Sequence, residues 1–202
     1  LKPHPMNRLL QGDVGSGKTV VAAIAALLTA KNNLQIAVMA PTEVLAQQHY
    51  KTFIKIFGPY ISQQGLNIGL LTSSEARYYF SEELESKVTK NKLLEQIAEG
   101  EIKIVIGTHA IIQKNVSFKN LALVIVDEQH RFGVEQRAAL TKNPNVLPHF
   151  LSMSATPIPR TLSLTIFGDL DLSIIKELPS GRHPIITKIV APANRPKAYQ
   201  FI

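Results

Sequence analysis

The chain of 202 residues contains no cysteine. That excludes a disulfide scaffold and thiolate metal sites, and it fits a reducing, cytoplasmic setting. No apolar run approaches the roughly 18 residues of a membrane-spanning helix. Residues 20–28 (VVAAIAALL) are too short for that and read as a buried core helix. The opening LKPHPMNRLL lacks the apolar stretch of a secretory signal and does not begin with Met, so the chain is expected to be a piece of a longer protein. There is no internal repeat and no low-complexity tract. His4, His49, His109, His130, His149 and His183 are scattered without metal-ligand spacing.

What remains is an ordinary globular composition, 45% hydrophobic and 18% charged. The length suits one α/β domain with a sizeable core, or slightly more. A formal net charge of +7 would suit a phosphate-backbone partner, although many soluble domains carry such a surplus without one.

Residues 12–19 read GDVGSGKT and match G-x-x-x-x-G-K-[ST] at every defined position. Gly12, Gly15 and Gly17 permit the tight turn and close backbone approach that a phosphate chain needs. The N–H groups of Asp13, Val14, Ser16 and their neighbours can then form an anion nest at a helix N-terminus. Lys18 can reach the β- and γ-phosphates, and the Thr19 hydroxyl can ligate Mg²⁺. Residues 8–11 read as a strand entering this loop, and 20–28 as the helix leaving it.

Further strands are expected at 35–39, 68–71, 102–106, 121–126 and 149–152. Helices are expected from Thr42, as cap, to Phe57, where Gly58-Pro59 stops it, and over 81–99, 134–142 and 160–167. Gly100 suits a helix C-terminus. This alternation predicts an α/β fold, a doubly wound and mostly parallel sheet with helices on both faces and ligands at the strands' carboxyl ends. Residues 177–184 (ELPSGRHP) read as a linker. They divide a first domain, 1–176, from a tail, 177–202, with a strand at 185–190 and a helix from 196.

Asp127 and Glu128 end the apolar run 121–126. An acid there, across from a phosphate loop, can hold Mg²⁺ opposite Thr19, and its neighbour can deprotonate the attacking water. The run DEQHRFGVEQR (127–137) joins GDVGSGKT, APTEVLAQQH (40–49), GTHAIIQ (107–113) and MSATPIPRTL (153–162) in order. Together they resemble the RecG family of superfamily-two, ATP-dependent DNA helicases, from about residue 6 to about 187. Gln129-His130 favours that family over the related transcription-repair coupling translocase Mfd, which stays open as an alternative. A transporter-type ATPase would need a Leu-Ser-Gly-Gly-Gln signature, and an Asn-Lys-x-Asp guanine reader is absent too.

The resemblance implies a RecA-like P-loop domain that binds ATP and Mg²⁺. It implies catalytic roles for Lys18, Asp127, Glu128, Gln129 and His130, with Thr19 and Asp127 as the Mg²⁺ ligands. Pro41, Thr42, Glu43, Gly107, Thr108 and His109 would lie along bound DNA, touching its backbone. Ser154, Ala155, Thr156 and Arg160 would couple nucleotide state to movement. Its implied partners are branched or duplex DNA, a wedge domain and a second RecA-like domain in the same protein, with no membrane. The plainer readings are a loop histidine at His130, a helix cap at Thr42, a turn at Thr156-Pro157, and a packed loop at Tyr78-Tyr79-Phe80 rather than a base-stacking edge. Where the family usually reads Leu-Thr-Gly-Ser, this chain has Leu71-Thr72-Ser73-Ser74, and its segment 76–91 is longer.

Overall fold

The computed structural model describes residues 4–64, 66–81, 84–127, 147–156, 170–177, 187 and 189–201. Among them, nine strands join in one sheet: β1 (Asn7–Gly12), β2 (Gln35–Met39), β3 (Asn67–Leu71), β4 (Ala76–Ser81), β5 (Leu84–Lys87), β6 (Ile102–Gly107), β7 (Leu121–Asp127), β8 (His149–Ser154) and β9 (Asp171–Ile175). Their order is β5-β4-β3-β6-β2-β7-β8-β1-β9. Every pairing from β3 to β9 is parallel, and the β3-β4-β5 edge is antiparallel. Helices α1 (Lys18–Lys31), α2 (Glu43–Gln64), α3 (Lys90–Glu99) and α4 (Arg195–Phe201) complete the described elements, with 3-10 turns at His109–Ile112 and Pro192–Asn194.

The central strands are mainly apolar because both of their faces are covered. On one face Ile36, Val38, Ile104, Ile106, Leu123 and Ile125 pack against α1 and α2. On the other, Ala37, Met39, Val105, Val124 and Val126 pack with Leu93 and Ile97 of α3. Strand alternation therefore decides which helix each side chain meets. Gln35, fully buried at the start of β2, stitches the lower end. Its Nε2 donates to the carbonyls of Ile97 and Ile102 at 2.8 and 2.9 Å, and its Oε1 accepts from Asn120 N at 3.0 Å.

Several expectations need correction. The helix over 20–28 is not buried all round. Ala22, Ala23, Ala26 and Ala30 face the sheet, while Val20, Ile24 and Leu28 are more than half exposed. A uniformly apolar helix names no inner face, and close approach to the sheet selects the small residues. Helix α2 runs through Gly58-Pro59 to Gln64. Proline removes one helical hydrogen bond, and the burial of Phe53 and Phe57, in edge-to-face contact at 5.3 Å, outweighs that local stop signal. The helix expected over 81–99 begins only at Lys90, where Thr89 caps it by accepting from Lys92 N, and it ends at Gly100 with φ 79°. Before it lies the β4-β5 hairpin, favoured by Arg77-Tyr78-Tyr79-Phe80, whose aromatics suit a strand.

Tyr78 and Tyr79 point to opposite faces, each against one of the two cores, so the aromatic cluster is a packed strand rather than a packed loop. Strand β9 is an addition to the strands expected from the sequence. The helices expected at 134–142 and 160–167 lie outside the described residues, as does most of 177–186. Residues 187, 189 and 190 carry no strand, and the terminal helix is present as α4.

Candidate functional site

Strand β1 delivers Gly12 to the sheet's carboxyl edge, and the chain turns there into α1. The turn is built on left-handed backbone at Gly15 (φ 80°) and Gly17 (φ 92°), which side-chain-bearing residues avoid. Ser16 N donates to Asp13 O at 3.2 Å, and Asp13 Oδ1 accepts from Val14 N at 2.7 Å. Gly17 O then accepts from Val20 N and Val21 N, starting the helix. A Cβ on Gly12 would lie 2.5 Å from Ser16 Oγ, whereas one on Gly17 would meet nothing within 4 Å. The loop is thus closed on its inner side and open outward at Gly17.

Lys18 Nζ arches over the loop and donates to Gly12 O and Asp13 O, both at 2.8 Å. Thr19 is half-buried in the first turn of α1, which holds no acidic residue. Ser16 Oγ is buried with no hydrogen-bond partner among the described residues. A helix N-terminus, an ammonium group, an orphaned hydroxyl and open space beside Gly17 form a cradle that fits an anionic phosphate chain.

Asp127 ends β7, and a single strand, β8, separates it from β1. It aligns with Met153, while Gln11 aligns with Ser154, so Asp127 and the phosphate loop sit about 10 Å apart at one edge of the sheet. By alternation Asp127 follows Leu123 and Ile125 onto the face that carries α1 and α2. There its Oδ2 accepts from His49 Nε2 at 2.7 Å, the histidine side chain being 9% exposed and the aspartate 16%. Between the loop and Asp127, Ser154 is buried at the end of β8. Its Oγ lies 3.0 Å from Thr156 Oγ1 and accepts from Thr156 N at 3.2 Å. Ala155 is half-buried and Thr156 exposed. Glu128, Gln129, His130 and Arg160 lie outside the described residues.

Among the described residues no group of three or more His, Asp or Glu could hold a metal by itself.

A second cluster occupies the carboxyl ends of three adjacent strands, β3, β6 and β2. Pro41, Thr42 and Glu43 follow β2, Gly107 ends β6, and Thr108 and His109 follow it. Ala40 N donates to Gly107 O at 2.8 Å, and Thr108 N donates to Leu71 O at 3.4 Å, so the expected strand-binding residues do form one rim. Thr42 caps α2 through Leu45 N at 3.3 Å. Thr42 and His109 are exposed, Glu43 and Thr108 half-buried.

The sequence did not disclose what holds Glu43. Its Oε2 accepts from Ser74 Oγ at 2.7 Å, and its Oε1 accepts from Ser74 N at 3.1 Å and from the Ser73 hydroxyl. The hydrogen bond from Ser73, followed by that from Ser74, lowers the Glu43 carboxyl from 4.5 to about 2. A depressed carboxylate stabilises the fold above its unfolded value and loses that contribution as pH falls through about 2. Lys90 Nζ donates to Ser73 O, and Gln47 Nε2 donates to Glu75 Oε1 at 2.6 Å. Glu75 also pairs with Arg77 at 2.6 Å. The serine pair thus supplies side-chain donors to Glu43. In the sequence His49 is one scattered histidine, because only the fold brings it to Asp127.

The model of the DEAD/DEAH box helicase family matches residues 3–165. The ATP-dependent DNA helicase RecG of Aquifex aeolicus is 51% identical over 98% of this chain and 23% of its own length. That of Synechocystis is 49% identical over the whole chain and 22% of its own length. The chain therefore spans about a quarter of the curated relatives it matches. Among solved structures, RecG bound to a three-way DNA junction superposes with a TM-score of 0.73 at 41% identity, covering 99% of this chain and 25% of that one. The Hef helicase domain of Pyrococcus furiosus, 18% identical with a TM-score of 0.60, shares the fold. Phosphate loop, strand order and family match converge: this chain belongs to the DEAD/DEAH box helicase family.

Proposed function

We propose that this chain is the ATP-binding first motor domain of a RecG-type DNA helicase, which remodels branched DNA by fork reversal and branch migration. The domain spans 1–176, and 177–202 forms the linker and start of a second RecA-like domain. The observation that carries the reading is the phosphate loop facing Asp127 across a single strand, on the face that holds α1. The similarity to RecG proteins supports the choice of substrate. The positive charge and the absence of a membrane-length apolar helix among the described residues accord with a nucleic-acid motor working in the cytoplasm.

The main-chain amides of residues 12–19 grip the triphosphate, and Lys18 neutralises the β- and γ-phosphates. Thr19 and Asp127 would hold Mg²⁺, which supplies charge neutralisation between the phosphates. Glu128 accepts the proton of the attacking water. Gln129 and His130 pass nucleotide state to Ser154, Ala155, Thr156 and Arg160. Pro41, Thr42, Glu43, Gly107, Thr108 and His109 set one DNA strand by its backbone, positioning it without reading sequence. Arginines of the second domain would complete the γ-phosphate side, and a wedge domain would engage the branch.

The test is Lys18→Ala in the full-length protein. It should abolish ATP-driven unwinding of a three-way junction and leave junction binding within about twofold. Unwinding at the normal rate would refute the assignment.

A further inference from the structure

His49 lies two turns into α2, nine-tenths buried, with its imidazole Nε2 2.7 Å from Asp127 Oδ2. An ionised carboxylate only accepts, so the imidazole N–H donates. This side-chain contact ties α2 to the strand end that bears the proposed metal carboxylate. It is a specific contact between a helix and a strand that pack against the same apolar core. A hydrogen bond to one oxygen restricts the rotation of the carboxylate, and removing such an orienting partner typically weakens metal affinity about 10–100-fold.

We infer that His49 is a positioning residue for Asp127: its N–H orients the carboxylate so that Mg²⁺ is captured with the nucleotide. The inference rests on the phosphate-loop reading above. It adds a residue on the helix that also begins the strand-binding rim, since Thr42 caps α2 and Glu43 opens it. The rim and the metal carboxylate are therefore tied to one rigid helix, about 9 Å apart along its axis.

The experiment uses full-length protein with His49→Met, which fills the buried space without a donor, and His49→Gln, whose amide N–H replaces the imidazole donor. Mn²⁺ affinity is read by electron paramagnetic resonance in the presence of ADP, and ADP affinity is read separately without metal. His49→Met is expected to weaken Mn²⁺ binding by about tenfold with metal-free ADP binding unchanged. His49→Gln is expected to recover most of the loss. Unchanged Mn²⁺ affinity in His49→Met overturns the inference, as does equal loss in both variants, which marks a packing role. Wild-type protein that binds no Mn²⁺ with ADP overturns the phosphate-loop reading, and this inference with it. If His49→Met does not fold, His49→Leu takes its place beside His49→Gln, with the same outcomes.

Discussion

Adding one methyl at Gly107 tests how tightly the rim is built. A Cβ there would stand 1.9 Å from Leu71 O and 2.9 Å from Leu71 C, both backbone atoms of the neighbouring strand β3. Ordinary contact is above 3 Å, so β3 and β6 must separate by roughly 1 Å at the point where Thr108 N meets Leu71 O. Overpacking that side chains cannot absorb falls at the upper end of the usual range, about 3 kcal/mol. For a chain of this size that lowers the melting temperature by about 6–12 °C. Gly69→Ala is the matched control. Its Cβ would meet Ile102 Cγ2 at 3.1 Å and Leu93 Cδ1 at 3.4 Å, side-chain methyls rather than backbone, and the loss should be about 1 kcal/mol. Calorimetric melting of the two variants beside the parent decides the matter. Equal losses, or no loss in Gly107→Ala, would refute the packing argument.

The Glu43 carboxyl should titrate near pH 2 by carbon-detected NMR, and Ser73→Ala with Ser74→Ala should return it toward 4.5; a wild-type midpoint near 4.5 would mean that the serine clasp is absent in solution. The chain by itself should hydrolyse ATP on the order of 10³-fold or more below the full-length enzyme, because arginine fingers contribute that much in related P-loop enzymes. Brisk DNA-stimulated turnover by the 202-residue chain would contradict the two-domain cleft.

The sheet was legible where local pattern and tertiary context agree. Residues 121–126 are apolar without break, 35–39 and 102–106 are interrupted only by Gln35 and Lys103, and all three are central strands. The phosphate loop was legible because its chemistry is local: glycines, lysine and threonine act within eight consecutive residues. Legibility failed where distant contacts decide. The β4-β5 hairpin pairs with β3, and that edge converts a segment of mixed propensity into strand. The α1 apolar surface could not be divided into inner and outer faces, because the choice rests on how close the helix comes to the sheet. The Glu43 clasp joins residues 30 and 31 positions apart, and the His49–Asp127 bond joins residues 78 apart. No spacing rule reaches that far.

The central claim is that a triphosphate held by residues 12–19 shares its metal with Asp127. Paramagnetic broadening by Mn²⁺ in the amide spectrum of the ADP-bound chain tests it most directly. The account predicts that resonances of Gly15, Gly17, Lys18, Thr19 and Asp127 broaden first and together, and that Asp127→Asn weakens the effect throughout. Broadening centred elsewhere, or confined to the loop with Asp127 untouched, would contradict it.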